Sequence, residues 1–173
     1  TYRAMQKALE AGKVRAIGLS NFVDARFVDL VENMEVKPAV LQLETHVFSQ
    51  QKRMRELMAP YGTRLMAWAP LAEGRNGIFT HPTLTAIGAK YGKTAAQTAL
   101  RFLMAEDVIA IPKSVHRERL VENFSIDDFE LSAEDLDAIR ALDGGKPMFA
   151  DFNDPTLAKF LLEYDAKFNP ERQ

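Results

Sequence analysis

The chain has 173 residues, of which 47% are hydrophobic and 27% charged, the balance of an ordinary globular protein and not of a disordered one. Twenty-two Lys and Arg against 24 Asp and Glu leave a formal charge of -2, which gives no drive toward a phosphate backbone or an anionic bilayer, so neither nucleic acid nor a membrane is an expected partner. With no cysteine, disulfides, thiolate metal sites and thiol nucleophiles are excluded.

The opening segment, Thr1 to Glu10, mixes polar and apolar residues and has neither the apolar core of a signal peptide nor a spanning run, so a cytoplasmic protein is expected. His46, His81 and His116 are too widely spaced for a helical metal pair, and no metal site is expected.

Four short runs rich in Val, Ile, Leu and Ala read as strands: Val14 to Leu19, Ala39 to Leu43, Leu65 to Ala69 and Val108 to Ile111. They lack the clean alternation of a half-wet antiparallel sheet, which points to parallel strands covered by helices. Crossovers of helical periodicity lie between them. Phe27, Leu30, Val31 and Met34 form one apolar face before Pro38, and Gln51 to Ala59 forms the next helix, broken by Pro60 and Gly62. Thr83 to Lys90 and Thr94 to Ala105 follow, separated at Gly92. Beyond the fourth strand, Arg117 to Phe124 reads as helix. Ser132 with Asp135 resembles a capping box opening Ala133 to Leu142, and the remainder reads as irregular, punctuated by Gly144, Gly145, Pro147 and Pro155. No linker divides the chain, so residues 1–173 are expected to form one unit with a tail at 146–173.

Polar residues stand where each run stops: Ser20 and Asn21, Glu44 and His46, the turn Pro70 to Gly74, and Lys113 with Ser114. In parallel α/β folds the carboxyl rim of the strands is where such side chains converge on a site. For each alone a bland role exists: Asn21 caps a turn, Lys113 lies along the surface, and His46 satisfies a buried carbonyl. No Gly-x-Gly-x-x-Gly occurs, so a doubly wound dinucleotide fold loses support.

Gly-Lys-Val-Arg-Ala-Ile-Gly-Leu-Ser-Asn-Phe at 12–22 and Ile-Pro-Lys-Ser-Val-His-Arg-Glu-Arg-Leu-Val-Glu-Asn at 111–123 resemble the second and third signatures of the aldo-keto reductases. Leu41-Gln42-Leu43-Glu44-Thr45-His46 and Trp68-Ala69-Pro70-Leu71 fall at family-like spacing between them. The resemblance reaches to about Gly145 and is nearest in kind to prokaryotic, diketogluconate-reductase-like members. It implies the C-terminal half of a TIM (β/α)8 barrel, which agrees with four strand–helix units being half of eight.

The resemblance further implies NADP(H) as cofactor. Ser20, Asn21 and Gln42 would hydrogen-bond the nicotinamide carboxamide, and Trp68 would stack on its ring. Ala69, Pro70, Leu71 and Glu73 would line the pyrophosphate path, with Glu73 acting through its backbone or as a clasp to a basic group. Lys113, Ser114, Val115, His116 and Arg119 would hold the adenine end and its 2′-phosphate at a loop and helix start, where backbone N–H groups favour anions. Glu122 and Asn123 would reach the adenine edge. A largely neutral His116 would soften the preference for NADPH over NADH.

No stretch matches the family's catalytic Asp, Tyr, Lys and His motifs, and Tyr2, Tyr61, Tyr91, Tyr164 and His46 are not candidates for those roles. The implied function is reduction of small carbonyl substrates, aldehydes or ketones, to alcohols. This chain would supply the cofactor-binding half and be inactive alone, with the N-terminal half of the barrel or a second copy as partner. The tail, with Phe149, Phe152, Phe160, Tyr164 and Phe168, would cover the substrate mouth or pack on the outer helices. A truncated, non-catalytic module that binds nucleotides or self-associates through its strand edges stays open beside this reading.

Overall fold

A computed structural model describes the fold of residues 1–168 and the side chains up to residue 164. Four parallel strands, β1 (Gly18–Ser20), β2 (Val40–Glu44), β3 (Arg64–Trp68) and β4 (Ile109–Ala110), pair in the order β1-β2-β3-β4. Helix α1 (Tyr2–Glu10) precedes β1, α2 (Ala25–Asn33) joins β1 to β2, and α3 (Lys52–Met58) joins β2 to β3. Two helices, α4 (Pro82–Lys90) and α5 (Ala95–Ala105), separate β3 from β4. Helices α6 (Arg117–Phe124), α7 (Ala133–Arg140) and α8 (Pro155–Phe168) follow.

Register assigns every strand side chain to a face. Gly18 pairs with Val40, Ser20 with Gln42, Gln42 with Met66, Glu44 with Trp68 and Met66 with Ile109, so these residues share one face of the sheet. Leu41, Leu43, Leu65 and Ala67 point the other way and are buried with Phe27 and Val31 of α2, Met54 and Met58 of α3 and Phe102 and Leu103 of α5. That helix-covered face is the core. The opposite face leaves Val40, Gln42, Met66, Trp68 and Ile109 half-buried. The sheet therefore does alternate in burial, contrary to the continuous apolar runs read from sequence, because residues as apolar as Val40, Met66 and Ile109 stand on its more open side.

The strands begin and end differently from the apolar runs. Val14 is exposed and lies outside β1, which starts at Gly18, while Ala69 has a left-handed backbone (φ 50°) that ends β3 at Trp68. Val108 and Ile111 fall outside β4. Thr94 and Gln97 form a reciprocal capping box at the start of α5, whereas at α7 only Ser132 accepts, from the Asp135 N–H, and that helix ends at Arg140. Helix α1 carries no expectation from sequence. The tail is not irregular throughout: Pro155 opens the 14-residue α8, a position where its missing N–H costs nothing. Phe160 and Tyr164 on α8 are exposed; the Phe168 side chain and residues 169–173 of the expected tail lie outside the described residues.

A half-buried acid ties the far side together. Glu106, just after α5, receives Arg55 of α3 at 2.7 Å and Arg140 of α7 at 2.9 Å. Burial pushes its carboxyl up, but the two guanidinium groups outweigh that and hold it below the ordinary carboxylate range.

Close approach of β1 to β2 demands glycine at 18, where a Cβ would lie 2.6 Å from Val40 Cγ2 and 2.7 Å from the Val40 carbonyl oxygen. Gly18→Ala is expected to destabilise the protein by roughly 1–3 kcal/mol, read as a lower urea midpoint with an unchanged slope.

Candidate functional site

The carboxyl ends of β1, β2 and β3 bring together the first group of predicted residues. Ser20 ends β1 and is exposed, and Asn21 follows it in a left-handed conformation (φ 58°), its N–H donating to the Gln42 carbonyl at 3.0 Å. Asparagine tolerates this backbone better than most residues, and the turn sends its side chain toward β3. There the Trp68 indole N–H donates to Asn21 Oδ1 at 2.9 Å. That bond uses the acceptor of the Asn21 amide and leaves its N–H2 group for a further partner. Among the described residues the Gln42 amide donates only to the Met66 thioether, a weak acceptor, at 3.3 Å. Two amides with spare hydrogen-bonding capacity beside an oriented indole can hold a flat ring by stacking and hydrogen bonds.

The turn after β3 is tightly wound. Ala69, Ala72, Glu73 and Asn76 all have positive φ, as do Gly74 and Gly77, and the Ala72 and Gly74 N–H groups bond back to Ala69 and Leu71. Pro70 is buried and Leu71 half-buried in this turn. The Glu73 carboxylate lies 3.9 Å from the Arg75 guanidinium, both of them exposed.

Beside this group lies an arrangement not expected from sequence. Glu44, registered next to Trp68, is only 3% exposed. Its Oε1 is 3.2 Å from His46 Nε2 and accepts the Met148 N–H at 2.5 Å, while its Oε2 accepts the Phe149 N–H at 3.1 Å. His46 Nδ1 accepts the Phe48 N–H at 3.2 Å, which places the donating proton on Nε2. His46 thus serves a carboxylate, not the buried carbonyl of its bland reading. The acid pins the tail to the rim, and the pinned Phe149 ring stands 5.6 Å from Trp68 at an angle of 56°. The Arg75 guanidinium caps Phe149 at 4.5 Å from the ring centroid. Sequence reading named Phe149 only as part of the tail. A carboxylate at the end of an apolar strand, which must find donors if buried, was the one local signal for the rest.

The second group lies on the loop after β4 and on α6. Lys113, Val115, His116 and Arg119 are exposed, and among the described residues Lys113 and Arg119 have no acidic partner. Ser114 Oγ accepts the His116 N–H at 3.1 Å, turning the loop into α6, whose cap residue His116 makes no side-chain bond to the helix start. Glu122 follows on α6, half-buried, with its carboxylate accepting the Thr94 hydroxyl at 2.6 Å. Asn123 borders a separate cleft beside β4 with Pro112 and Ile126.

A cavity of about 730 Å³ runs beneath the tail from Asn21 and Glu44 to Lys52, Met54 and Asp151. Among the described residues no cluster of three or more His, Asp or Glu could hold a metal, and no helix is long and apolar enough to cross a membrane.

Residues 1–144 match the Aldo/keto reductase family model. The chain belongs to this family. It is 42% identical over 142 residues to a glyoxal reductase of Bacillus subtilis, covering 82% of this chain and 51% of that protein. It thus spans about half the length of the curated relatives it matches. MGS-M4, an aldo-keto reductase enzyme from a Medee basin deep-sea metagenome library, superposes with a TM-score of 0.85 at 38% identity, over 89% of this chain and 57% of that one. A variant of Gox0644 crystallised in complex with NADPH superposes with a TM-score of 0.83 at 34% identity, over 88% and 56%. The four parallel strands with their helices are therefore part of the (β/α)8 barrel of the aldo-keto reductases.

Burial raises the Glu44 carboxyl, but the bonds from His46 and from the Met148 and Phe149 amides outweigh it and leave it below the ordinary carboxylate range. A depressed carboxyl contributes stability that is present above its unfolded value and lost as pH falls through the folded one. Glu44→Gln is expected to cost roughly 1.5–3 kcal/mol at pH 7, by urea denaturation, and the gap to wild type should close as the pH is lowered into the acid range.

Proposed function

We propose that this chain is the cofactor-binding half of an NADP(H)-dependent carbonyl reductase, and that the complete protein reduces small aldehydes or ketones to alcohols in the cytoplasm. The observation that carries the reading is the Trp68 indole, held by Asn21 at a strand end beside the Gln42 amide. When bound, the nicotinamide supplies the hydride. The chain's own residues orient it: Trp68 against the ring, Ser20, Asn21 and Gln42 at the carboxamide, and Ala69, Pro70, Leu71 and Glu73 along the pyrophosphate. Lys113, Ser114, Val115, His116 and Arg119 take the 2′-phosphate and adenine, with Glu122 and Asn123 at the adenine edge. Unpaired cations at a helix start fit a phosphate there. The NADPH complex of the similar Gox0644 variant supports the choice of cofactor.

Protonating the alkoxide that forms at the carbonyl needs a general acid, and no motif here supplies one, so this chain acts with a partner that does. The outer edges of β1 and β4 are unpaired among the described residues, and the sheet's more open face carries Val40, Met66 and Ile109. Both features fit the other half of a barrel. They also favour a second reading, a non-catalytic module that associates with its own copies. Intact mass and sedimentation separate the two: the first expects the complementary half, covalently joined or as a second polypeptide, and the second expects this chain alone, self-associated and without turnover.

In the complete protein, Lys113→Ala and Arg119→Ala should each weaken NADPH binding by about 10- to 100-fold and NADH binding by much less. An unchanged preference between the two cofactors overturns the phosphate-site assignment.

A further inference from the structure

We propose that Glu44 and Phe149 are positioning residues for Trp68, in which the carboxylate pins the tail and the pinned phenyl ring braces one side of the indole, leaving the other free for a flat heteroaromatic ring. The proposal rests on the nicotinamide-stacking reading of Trp68 given above.

Trp68 ends β3 and is half-buried, and a single hydrogen bond from its Nε1 to Asn21 fixes one edge of the ring. A large ring tethered at one edge still swings, and a swinging platform stacks poorly because orientation must be lost on each binding event. Phe149 supplies the second restraint through its tilted contact at 5.6 Å. It can do so only because it is itself fixed. His46 meets it edge-on at 6.2 Å and 77°, Arg75 covers it at 4.5 Å, and its N–H is held by Glu44. The backbone before it is fixed the same way, by the Met148 N–H to Glu44 and by the Gly144 N–H to the Phe48 carbonyl at 2.9 Å.

Glu44 is an unusual choice for a buried strand position unless the donors it gathers matter. Three donors reach its two oxygens, and two of them are main-chain N–H groups more than a hundred residues away. The nearby cations are committed elsewhere, Lys52 to Asp143 at 3.2 Å and Arg53 to Asp24 at 2.7 Å. The carboxylate therefore acts on the tail, and through Phe149 on Trp68, with which it is paired in register.

The test uses the complete protein with Glu44→Gln, Phe149→Ala and, as the conservative variant, Phe149→Tyr. Glu44→Gln keeps the shape but turns an amide N–H toward a backbone N–H. The first measurement needs no cofactor: acrylamide quenching of Trp68 emission, isolated by difference from Trp68→Phe. Quenching should rise in Glu44→Gln and Phe149→Ala and stay at the wild-type level in Phe149→Tyr; unchanged quenching in the first two overturns the brace. The second measurement compares dissociation constants for NADPH and for adenosine 2′,5′-bisphosphate, which probes only the end near Lys113 and Arg119. NADPH should weaken by about 2- to 10-fold in Glu44→Gln and Phe149→Ala, with the bisphosphate unchanged. Equal loss of both ligands means general loosening, and tighter or unchanged NADPH binding means that Phe149 competes with or ignores the ring; each overturns the proposal. A wild-type protein that binds neither ligand overturns the nicotinamide reading, while quenching still decides whether the brace exists.

Discussion

The rim depends on the register of β2 between its two neighbours. Because Gln42 lies against Ser20 on one side and Met66 on the other, and Glu44 lies against Trp68, the polar ends of three strands arrive at one level on one face. A shift of β2 by a single residue would send Gln42 and Glu44 into the helix-covered core and bring Leu41 and Leu43 out. The packing of those two leucines in the core therefore fixes the chemistry on the opposite face without touching it.

Around that register the molecule uses conformations that cost backbone energy. Asn21, Ala69, Ala72 and Glu73 are all left-handed, and they flank the indole and its following turn. Non-glycine residues hold such conformations only where surrounding contacts over-determine them. Here the ladder bond from Asn21 to Gln42 and the bonds closing the turn back on Ala69 and Leu71 supply those contacts. The same segments aim side chains across strands instead of along them, which is how Asn21 on one strand end reaches Trp68 two strands away.

Much of this was legible in the residues. The apolar runs marked all four strands, and the polar residues at their ends marked the rim. What failed did so for identifiable reasons. The third apolar run extends one residue past β3 because Ala69 looks like a strand residue and its left-handed backbone leaves no trace in its identity. Pro155 looks like a break in the sequence, although proline is equally at home in the first turn of a helix such as α8. The Glu44 arrangement was invisible for a different reason: its partners Met148 and Phe149 donate through main-chain N–H groups, which every residue but proline possesses, so no side-chain pattern announces them.

The same contact bears on how the protein assembles. Strand pairings join segments 22 to 43 residues apart, from Ser20 with Gln42 to Met66 with Ile109, whereas Glu44 must find an amide 104 residues along the chain. Closing so long a loop early would sacrifice chain entropy before neighbouring contacts repay it, so local crossovers form first and the tail docks onto a sheet already built. The order reverses on opening. The tail is the segment that can leave while the β-sheet stays intact, giving the rim a local unfolding mode separate from the global one.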